Sequence, residues 1–176
     1  MSKILECDKM TVLACEDGYK YYLFTPTFSR LYPKSGNMRK MTVLQSLRFL
    51  VMKMNGYKMY LLTDETDEIL SSIAFSSGSQ YRFPFAGKED LIYGPSYTMP
   101  EHRGRGYAVK LWDKVISCFE KDTKIVYATI RDDNRASIKC MEKSGFKTIG
   151  KLKGNKITRA FCMDEKGDHI LVKYER

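Results

Sequence analysis

The strongest candidate for chemistry in this sequence is a glycine-containing turn at residues 99–108, which read MPEHRGRGYA. Gly104 and Gly106 let the backbone turn tightly and approach a ligand without obstruction by a Cβ atom. The main-chain N–H groups of this stretch then converge at the start of the helix that follows, where the helix dipole favours an anion. Arg103 and Arg105 add positive charge. The pattern predicts a cradle for a pyrophosphate group.

Two better-known phosphate-binding loops do not fit this turn. A dinucleotide-binding G-x-G-x-x-G loop needs a third glycine, but Val109 stands at that position. The phosphate loop of nucleoside triphosphatases ends in Gly-Lys-Ser/Thr, which the sequence lacks. A turn that only caps a helix is the structural alternative, and the turn alone leaves both interpretations open.

A second cluster follows at residues 134–146, which read NRASIKCMEKSGF. Together with Arg103-x-x-Gly106-x-Ala108, this cluster resembles the two signature motifs of the GNAT superfamily of acyl-CoA-dependent N-acetyltransferases. The first motif matches that family's Q/R-x-x-G-x-G/A pyrophosphate motif. The second is similar to its N-x-x-A/S…E-K-x-G-F helix, in the serine form. The close resemblance covers residues 90–150, and the upstream segments fit the family more loosely.

The resemblance implies acetyl-CoA as cosubstrate and a role for each matching residue. Main-chain N–H groups of five consecutive residues would hold the pyrophosphate, with the Arg103 charge beside them: Gly104, Arg105, Gly106, Tyr107 and Ala108. Main-chain groups of Tyr97 and Met99 would pair with the amides of the pantetheine arm, and Asn134 and Ser137 would reach that arm from its far side. A main-chain N–H near Tyr97 would stabilise the oxyanion that forms when a neutral amine attacks the thioester.

The family's usual proton donor is missing from the second motif. Many members carry a tyrosine there, but this chain has Met141, whose thioether cannot donate a proton. Either Tyr97 or Tyr127 supplies the hydroxyl instead, or the thiolate leaves unassisted and water protonates it. The sequence leaves the general base unassigned as well, because no carboxylate lies between Asp90 and Glu101. A water chain is one candidate.

Other reactive or aromatic residues have structural interpretations beside functional ones. Cys140 has no His and Asp partners nearby in sequence, so we expect a core thiol rather than a nucleophile. For His102, beside the phosphate turn, we favour a solvent-exposed position over a catalytic role. We expect Trp112 to lie in the core. An aromatic run can line an acceptor pocket or simply pack: Tyr81, Phe83, Phe85 and Tyr93. The cysteines and the two histidines show no metal-ligand spacing, so we expect no metal site.

Hydrophobic spacing predicts the elements that position these residues. Val43, Leu47, Leu50 and Met54 predict a helix over 41–54, and stronger periodicity predicts a second helix over 105–121. A third helix is expected over 134–144. The predicted strands are 57–63, 69–76, 91–99, 124–130, 146–151 and 169–174, with 157–163 as a further candidate.

The predicted order is a helix followed by β-β-β-α-β-α-β-β. Helices between strands imply parallel pairing and hairpins imply antiparallel pairing, so we expect an α/β (α+β) fold with a mixed central sheet flanked by helices. Gly94-Pro95 interrupts the strand at 91–99, and proline cannot donate a ladder hydrogen bond. The sheet should therefore be splayed at that point.

Length and composition favour one globular domain over residues 1–176. The chain is 43% hydrophobic and 29% charged, which excludes a disordered or fibrous protein. It has no apolar run near the roughly 20 residues of a membrane span. Charged residues in the first nine positions leave no apolar core for a secretory signal. We expect a cytoplasmic monomer or homodimer with no membrane contact.

Positive charge is concentrated in residues 101–160, which hold 15 Lys and Arg against 7 Asp and Glu. Such a field attracts a polyanion, whether a phosphorylated cofactor or a nucleic acid. The expected function is transfer of an acetyl group to a primary amine of a small molecule, such as an amino sugar, or of a peptide. The rival is a non-catalytic module that binds CoA, nucleic acid or protein through this basic region. Nucleic acid is disfavoured because no recognised nucleic-acid motif is present.

Overall fold

A computed structural model describes residues 10–33, 42–119 and 125–175. Main-chain contacts divide the chain into two compact units, Met1–Ser76 with Pro95–Ser117 and Ser77–Gly94 with Cys118–Arg176. The prediction of a single domain stays a prediction. Parts of several sequence-based predictions lie outside the described residues: residues 1–9 with Cys7, Met41, residues 120–121 and Lys124.

The first unit is built on strands paired in the order β1-β2-β3-β4-β5, in which the pairs from β1 to β4 are antiparallel. Its strands are β1 (Met10–Glu16), β2 (Tyr19–Phe24), β3 (Lys58–Thr63), β4 (Ile69–Ser77) and the second half of β5 (Leu91–Thr98). Its helices are α1 (Val43–Met54) and α2 (Tyr107–Ile116). Helix α1 and the strands β3, β4 and β5 are confirmed, and the second predicted helix is present but shorter than the predicted 105–121, since α2 ends at Ile116. The hairpin β1–β2 was not predicted.

The hairpin β1–β2 has a sequence signal that the analysis above did not use. Asp17 and Gly18 join the two strands, and both have positive φ, 52° and 76°. Two-residue turns of this kind match the twist of paired strands, and Asp-Gly is one of their preferred sequences. The signal was therefore present, flanked by two apolar runs.

The core of the first unit lies on both faces of its strands. One face holds Phe24, Phe49, Tyr57, Met59 and Met99 among its buried residues. On α2, Trp112 is buried as predicted, and its ring lies 6.2 Å from that of Phe75. Helix α1 is attached through Phe49, whose ring lies 4.9 Å from Tyr32 and 5.4 Å from Tyr57.

The second unit contains the parallel pair of the fold. It comprises the first half of β5, β6 (Ile125–Arg131), α3 (Arg135–Lys143), β7 (Lys147–Gly154), β8 (Phe161–Met163) and β9 (His169–Glu175). The strand order is β5-β6-β9-β7-β8, with β5–β6 parallel and the other pairs antiparallel. Parallel and antiparallel pairs together confirm the predicted mixed sheet. The candidate strand at 157–163 is shorter than expected and begins at Phe161.

Strand β5 changes partners where the sequence predicted a break. Its parallel pairing with β6 runs from Leu91 to Tyr93 and ends before Gly94, which has φ +118°. The residues from Pro95 to Ser117 belong to the first unit.

Among the described residues, no helix is long and apolar enough to cross a membrane.

Candidate active site

The turn at residues 99–108 consists of a 3-10 turn, Pro100–His102, and a loop that leads into α2. Gly104 and Gly106 have φ of +78° and +80°, in the left-handed region where glycine is least strained. A Cβ atom added at either glycine would meet no atom within 4 Å. The glycines therefore serve the path of the backbone and leave open space beside the loop, among the residues that the structure describes.

The start of α2 has no side-chain cap within the described ranges. Gly106 is its N-cap residue and has no side chain that could accept a hydrogen bond. The first bond inside the helix runs from the Lys110 N–H to the Gly106 carbonyl, at 3.0 Å. The preceding N–H groups have no partner within the helix, and the positive end of its dipole lies there. An anion beside this loop would interact with these N–H groups and with the positive end of the dipole.

Arg103 lies between this loop and the end of β5. Its Nε donates to the Thr98 carbonyl at 3.2 Å, and its guanidinium lies 5.5 Å from the centre of the Tyr97 ring. These contacts hold the arginine at the first position of the predicted motif. The side chain is exposed, so its charge is accessible from solvent.

Tyr107 and Arg105 lie near the hairpin β1–β2. A hydrogen bond with Tyr107 is the main cause that raises the pKa of Tyr19, while the Arg105 charge acts in the opposite direction. The two tyrosine rings are 5.7 Å apart. Lys110 on α2 lies 4.0 Å from the centre of the Tyr19 ring and 3.7 Å from an Asp17 carboxylate oxygen. The unpredicted hairpin thus supports the beginning of α2.

The main chain of β5 directs Tyr97 and Met99 towards β4. The Tyr97 carbonyl accepts from the Ser71 and Ser72 hydroxyls, each at 3.4 Å. The Met99 N–H donates to the Leu70 carbonyl at 3.1 Å. The Met99 carbonyl in turn accepts from the backbone N–H three residues ahead, at 2.9 Å. Both main-chain groups of Met99 therefore already have partners within the chain.

Alternation along a strand sends neighbouring main-chain groups to opposite edges. Since Tyr97 and Met99 face β4, the main-chain groups of Ser96 and Thr98 face the other edge. The Arg103 contact to the Thr98 carbonyl agrees with this, because it comes from outside the β4 pairing. The sequence does not show which residues of β5 direct their main-chain groups towards β4, because this depends on how the two strands pair.

The candidate proton donors differ in accessibility. Tyr97 is 45% exposed, whereas Tyr127 is 9% exposed and packs against Phe85, with ring centres 5.3 Å apart. Burial is the main cause that raises the pKa of Tyr127. Burial also raises the pKa of Tyr32 to about 12, with a smaller contribution from Tyr97. Tyr32 therefore adds a hydroxyl on the Tyr97 side that no sequence motif indicated.

The second motif forms the start of α3. The Asn134 side-chain Oδ1 accepts from the Ser137 N–H at 3.2 Å, which caps the helix. The amide NH2 of Asn134 takes no part in that cap. Met141 is buried within α3, at 3% exposure. Asn134 and Ser137 are thus held together by a local structural contact, whatever else they bind.

A cluster that sequence analysis missed surrounds His102. Its Nε2 lies 3.6 Å from a Glu68 carboxylate oxygen, close enough for an ion pair but too long for a hydrogen bond. The expectation of an exposed His102 is wrong, because its side chain is 17% exposed and both ring nitrogens are buried. Ligand atoms of Glu68, Glu101 and His102 lie within 4.8 Å of one another. The absence of a metal site stays a prediction.

Most of the remaining candidates pack within the second unit. Phe83 stacks on Phe161 at 5.8 Å, and Tyr93 lies 5.9 Å from Phe146. These contacts favour packing over an acceptor pocket, and only Tyr81 of the aromatic run is largely exposed. Cys140 is partly buried, and burial raises the pKa of its thiol. A thiol of raised pKa is a poor nucleophile at neutral pH.

Comparisons with known proteins confirm the predicted family. The model of the acetyltransferase (GNAT) family matches residues 22–146. No curated protein matches the sequence significantly. Among solved structures, the chain is similar in fold to the ribosomal-protein-S5-alanine acetyltransferase of Vibrio fischeri, with TM-score 0.60 and 17% identity over 94% of this chain and 96% of that one.

Two further structures share the fold and were solved with cofactor. The aminoglycoside acetyltransferase AAC(6')-Ib in complex with coenzyme A and kanamycin has TM-score 0.57 and 14% identity, over 73% of this chain and 71% of that one. RimL, a ribosomal L7/L12 α-N-protein acetyltransferase in complex with coenzyme A, has TM-score 0.53 and 13% identity, over 75% and 70%.

Proposed function

Because this chain belongs to the GNAT family of acetyltransferases, we propose that it acts as one domain that transfers the acetyl group of acetyl-CoA to a primary amine. The observation that carries the proposal is the start of α2. Two glycines in the left-handed conformation precede the helix, and no side chain of the described residues caps its first turn. A helix start of this kind suits a pyrophosphate. Family membership favours an enzyme over the non-catalytic binding module.

The loop residues fit the cofactor by an independent criterion. The open space beside Gly104 and Gly106 is the space that a pyrophosphate needs to approach the main chain. We propose that the N–H groups of residues 104–108 bind the pyrophosphate and that Arg103 and Arg105 add charge. When bound, acetyl-CoA supplies an activated acetyl thioester.

We propose that Ser96 and Thr98, rather than Tyr97 and Met99, present main-chain groups to the pantetheine amides. The hydrogen bonds of Tyr97 and Met99 towards β4 support this change. An extended arm that adds to a strand edge binds through main-chain hydrogen bonds. The proposal that Asn134 and Ser137 contact the same arm rests on the second motif alone, and the Asn134 NH2 group is the donor available for it.

For the proton that the leaving thiolate needs, we propose Tyr97 as donor. Its side chain is accessible, whereas Tyr127 is packed against Phe85. Tyr32 is the second candidate, because it is near enough to Tyr97 for the two side chains to interact electrostatically. The attacking amine must lose its proton, and we propose that water takes it.

Tyrosine-to-phenylalanine substitutions separate these candidates. Tyr97→Phe keeps the ring beside Arg103 and removes only the hydroxyl, so we expect kcat to fall by about 10² or more with little change in KM for acetyl-CoA. Tyr127→Phe is the matched control and should leave kcat unchanged. A loss in Tyr32→Phe instead would move the donor to Tyr32. Normal kcat in all three variants would favour protonation by water.

We propose that the acceptor is a primary amine of a small molecule, such as an amino sugar, or of a peptide. The neighbours above include an aminoglycoside acetyltransferase and ribosomal-protein acetyltransferases, so the fold accommodates both classes. Release of free CoA thiol should be measured with amines grouped as amino sugars, polyamines, amino acids and peptides. Gly106→Asp serves as the inactive control. Thiol release that no amine stimulates would contradict the proposal.

A further inference from the structure

Helix α1 exposes an apolar face that is left largely uncovered by the residues that the structure describes. Five large apolar side chains on it are each more than half exposed: Val43, Leu44, Leu47, Val51 and Met54. Val43 and Leu44 are adjacent, and from Leu44 onwards the residues recur at intervals of three or four, which places all five on one side of the helix. We call these five residues the α1 outer face.

The opposite side of α1 is the one that attaches the helix to the protein. Phe49 is buried and packs against Tyr32 and Tyr57 in the core of the first unit. The helix therefore has a fixed inner side and does not need its outer face for folding. Monomeric proteins seldom expose a contiguous apolar patch of this kind, and such patches mark interaction surfaces.

The charge of the sequence segment that contains α1 indicates what kind of partner covers the outer face. Residues 25–56 hold no acidic residue and six basic ones: Arg30, Lys34, Arg39, Lys40, Arg48 and Lys53. Of these, Arg48 and Lys53 lie on α1 itself, and Lys53 is held 4.5 Å from the centre of the exposed Phe28 ring. The partner should therefore combine an apolar interior with negative charge.

We propose that the α1 outer face docks on an anionic phospholipid surface. A helix with an apolar face and basic residues at its sides lies in the plane of the membrane interface, with the apolar side chains among the acyl chains. Each basic residue near an anionic leaflet adds about 1 kcal/mol to binding. The expectation of no membrane contact rested on the absence of a spanning segment, and a helix that lies on the surface does not need one.

Two other occupants fit the observations less well. A second copy of the chain would match the apolar stripe in shape, but it would bring two basic segments together with no acidic residue in residues 25–56 to pair with. A helical peptide is usually held in a groove between two elements. The five outer side chains are too exposed for the described residues to form a second wall beside them.

Vesicle flotation with the full chain tests the proposal. The vesicles contain either phosphatidylcholine alone or equal parts of phosphatidylcholine and phosphatidylglycerol. We expect binding to the anionic vesicles only, weakened by salt. The double variant Leu47→Ser/Val51→Ser should lower the partition coefficient roughly tenfold or more, since it removes two inserted apolar side chains. Ile157→Ser, at an even more exposed apolar residue of the second unit, should leave the partition coefficient unchanged.

A charge variant tests the electrostatic part separately. Arg48→Gln should lower the partition coefficient about fivefold on anionic vesicles, whereas Lys166→Gln, an exposed lysine of the second unit, should not. No binding of the unmodified chain to anionic vesicles would overturn the proposal, as would equal binding to both kinds of vesicle. A dimer in light scattering that the double variant converts to a monomer would also overturn it and assign the face to a second copy.

Discussion

Helices α2 and α3 both follow a strand and both begin within a signature motif, yet their first turns are satisfied in opposite ways. Asn134 caps α3 with its own side chain, and Thr42 and Gln45 cap α1 with a reciprocal pair of hydrogen bonds. Helix α2 begins at Gly106 without such a cap. Helix starts are normally satisfied by side chains, water or ligands. The contrast indicates that the start of α2 is left for a ligand.

A side-chain cap introduced at the start of α2 is expected to have the largest effect on CoA affinity. In Gly106→Asp, the new carboxylate can accept from the first N–H groups, as Asn134 does in α3, and it would repel a pyrophosphate from the same position. We expect CoA affinity to fall about a hundredfold or more, so that acetyl-CoA no longer raises the Tm. Titration calorimetry and thermal unfolding measure the two quantities.

The control for this change is Gly106→Ala. It carries the cost of positive φ, about 1 kcal/mol of stability, without a carboxylate. It should therefore keep part of the CoA affinity. If Gly106→Asp binds CoA as tightly as the unmodified chain, the start of α2 is not the anion site.

Removing the cap of α3 comes next in size. Asn134→Ala should lower the free energy of unfolding by about 1 kcal/mol, because the Ser137 N–H loses its acceptor. It should also weaken CoA binding by roughly 1 to 2 kcal/mol if the amide NH2 holds the pantetheine arm. Urea unfolding and calorimetry report these effects independently.

Asn134→Ser separates the two roles of this residue. Serine retains a capping oxygen but has no NH2 group, so stability should be preserved while CoA binding weakens. Unchanged CoA affinity in both Asn134 variants would make α3 a purely structural helix and would sharpen the contrast with α2.

Removing a charge beside the start of α2 should weaken CoA binding less than capping that start does. Arg105→Gln keeps the left-handed glycines and removes one exposed charge, and we expect CoA affinity to fall about fivefold, less at high salt. Lys166→Gln is the matched control in the second unit. An equal effect of both substitutions would mean that only the net charge of the protein attracts the cofactor.

The smallest effect is expected at the start of α1. Thr42→Ala removes one half of the reciprocal cap and should lower the free energy of unfolding by about 0.5 kcal/mol, since the site is exposed. CoA affinity should not change. A loss of CoA binding here would show that a side-chain cap does not distinguish a structural helix start from a ligand-binding one.

The sequence predicted best what is local in the chain. The glycine turn before α2, the start of α3 after Asn134 and the break at Gly94-Pro95 each depend on a few consecutive residues. It failed where distant residues decide the outcome. The spacing of Val43, Leu47 and Met54 predicted the helix α1 but not which side of it is buried. That side is set by Phe49, which packs on Tyr32 and Tyr57. The contact of His102 with Glu68 spans 34 positions, and no spacing rule predicts it.

The interleaving of the two units along the chain has a consequence for biosynthesis. The first unit needs Met1–Ser76 and Pro95–Ser117, while the second needs Ser77–Gly94 and Cys118–Arg176. A nascent chain that has reached Ser77 lacks α2, and Phe75 then has no Trp112 ring beside it. Leu91 to Tyr93 likewise have no parallel strand to pair with until β6 has been synthesised. Translation adds roughly 5–20 residues each second, so these apolar surfaces stay uncovered for seconds and can be bound by chaperones during that interval.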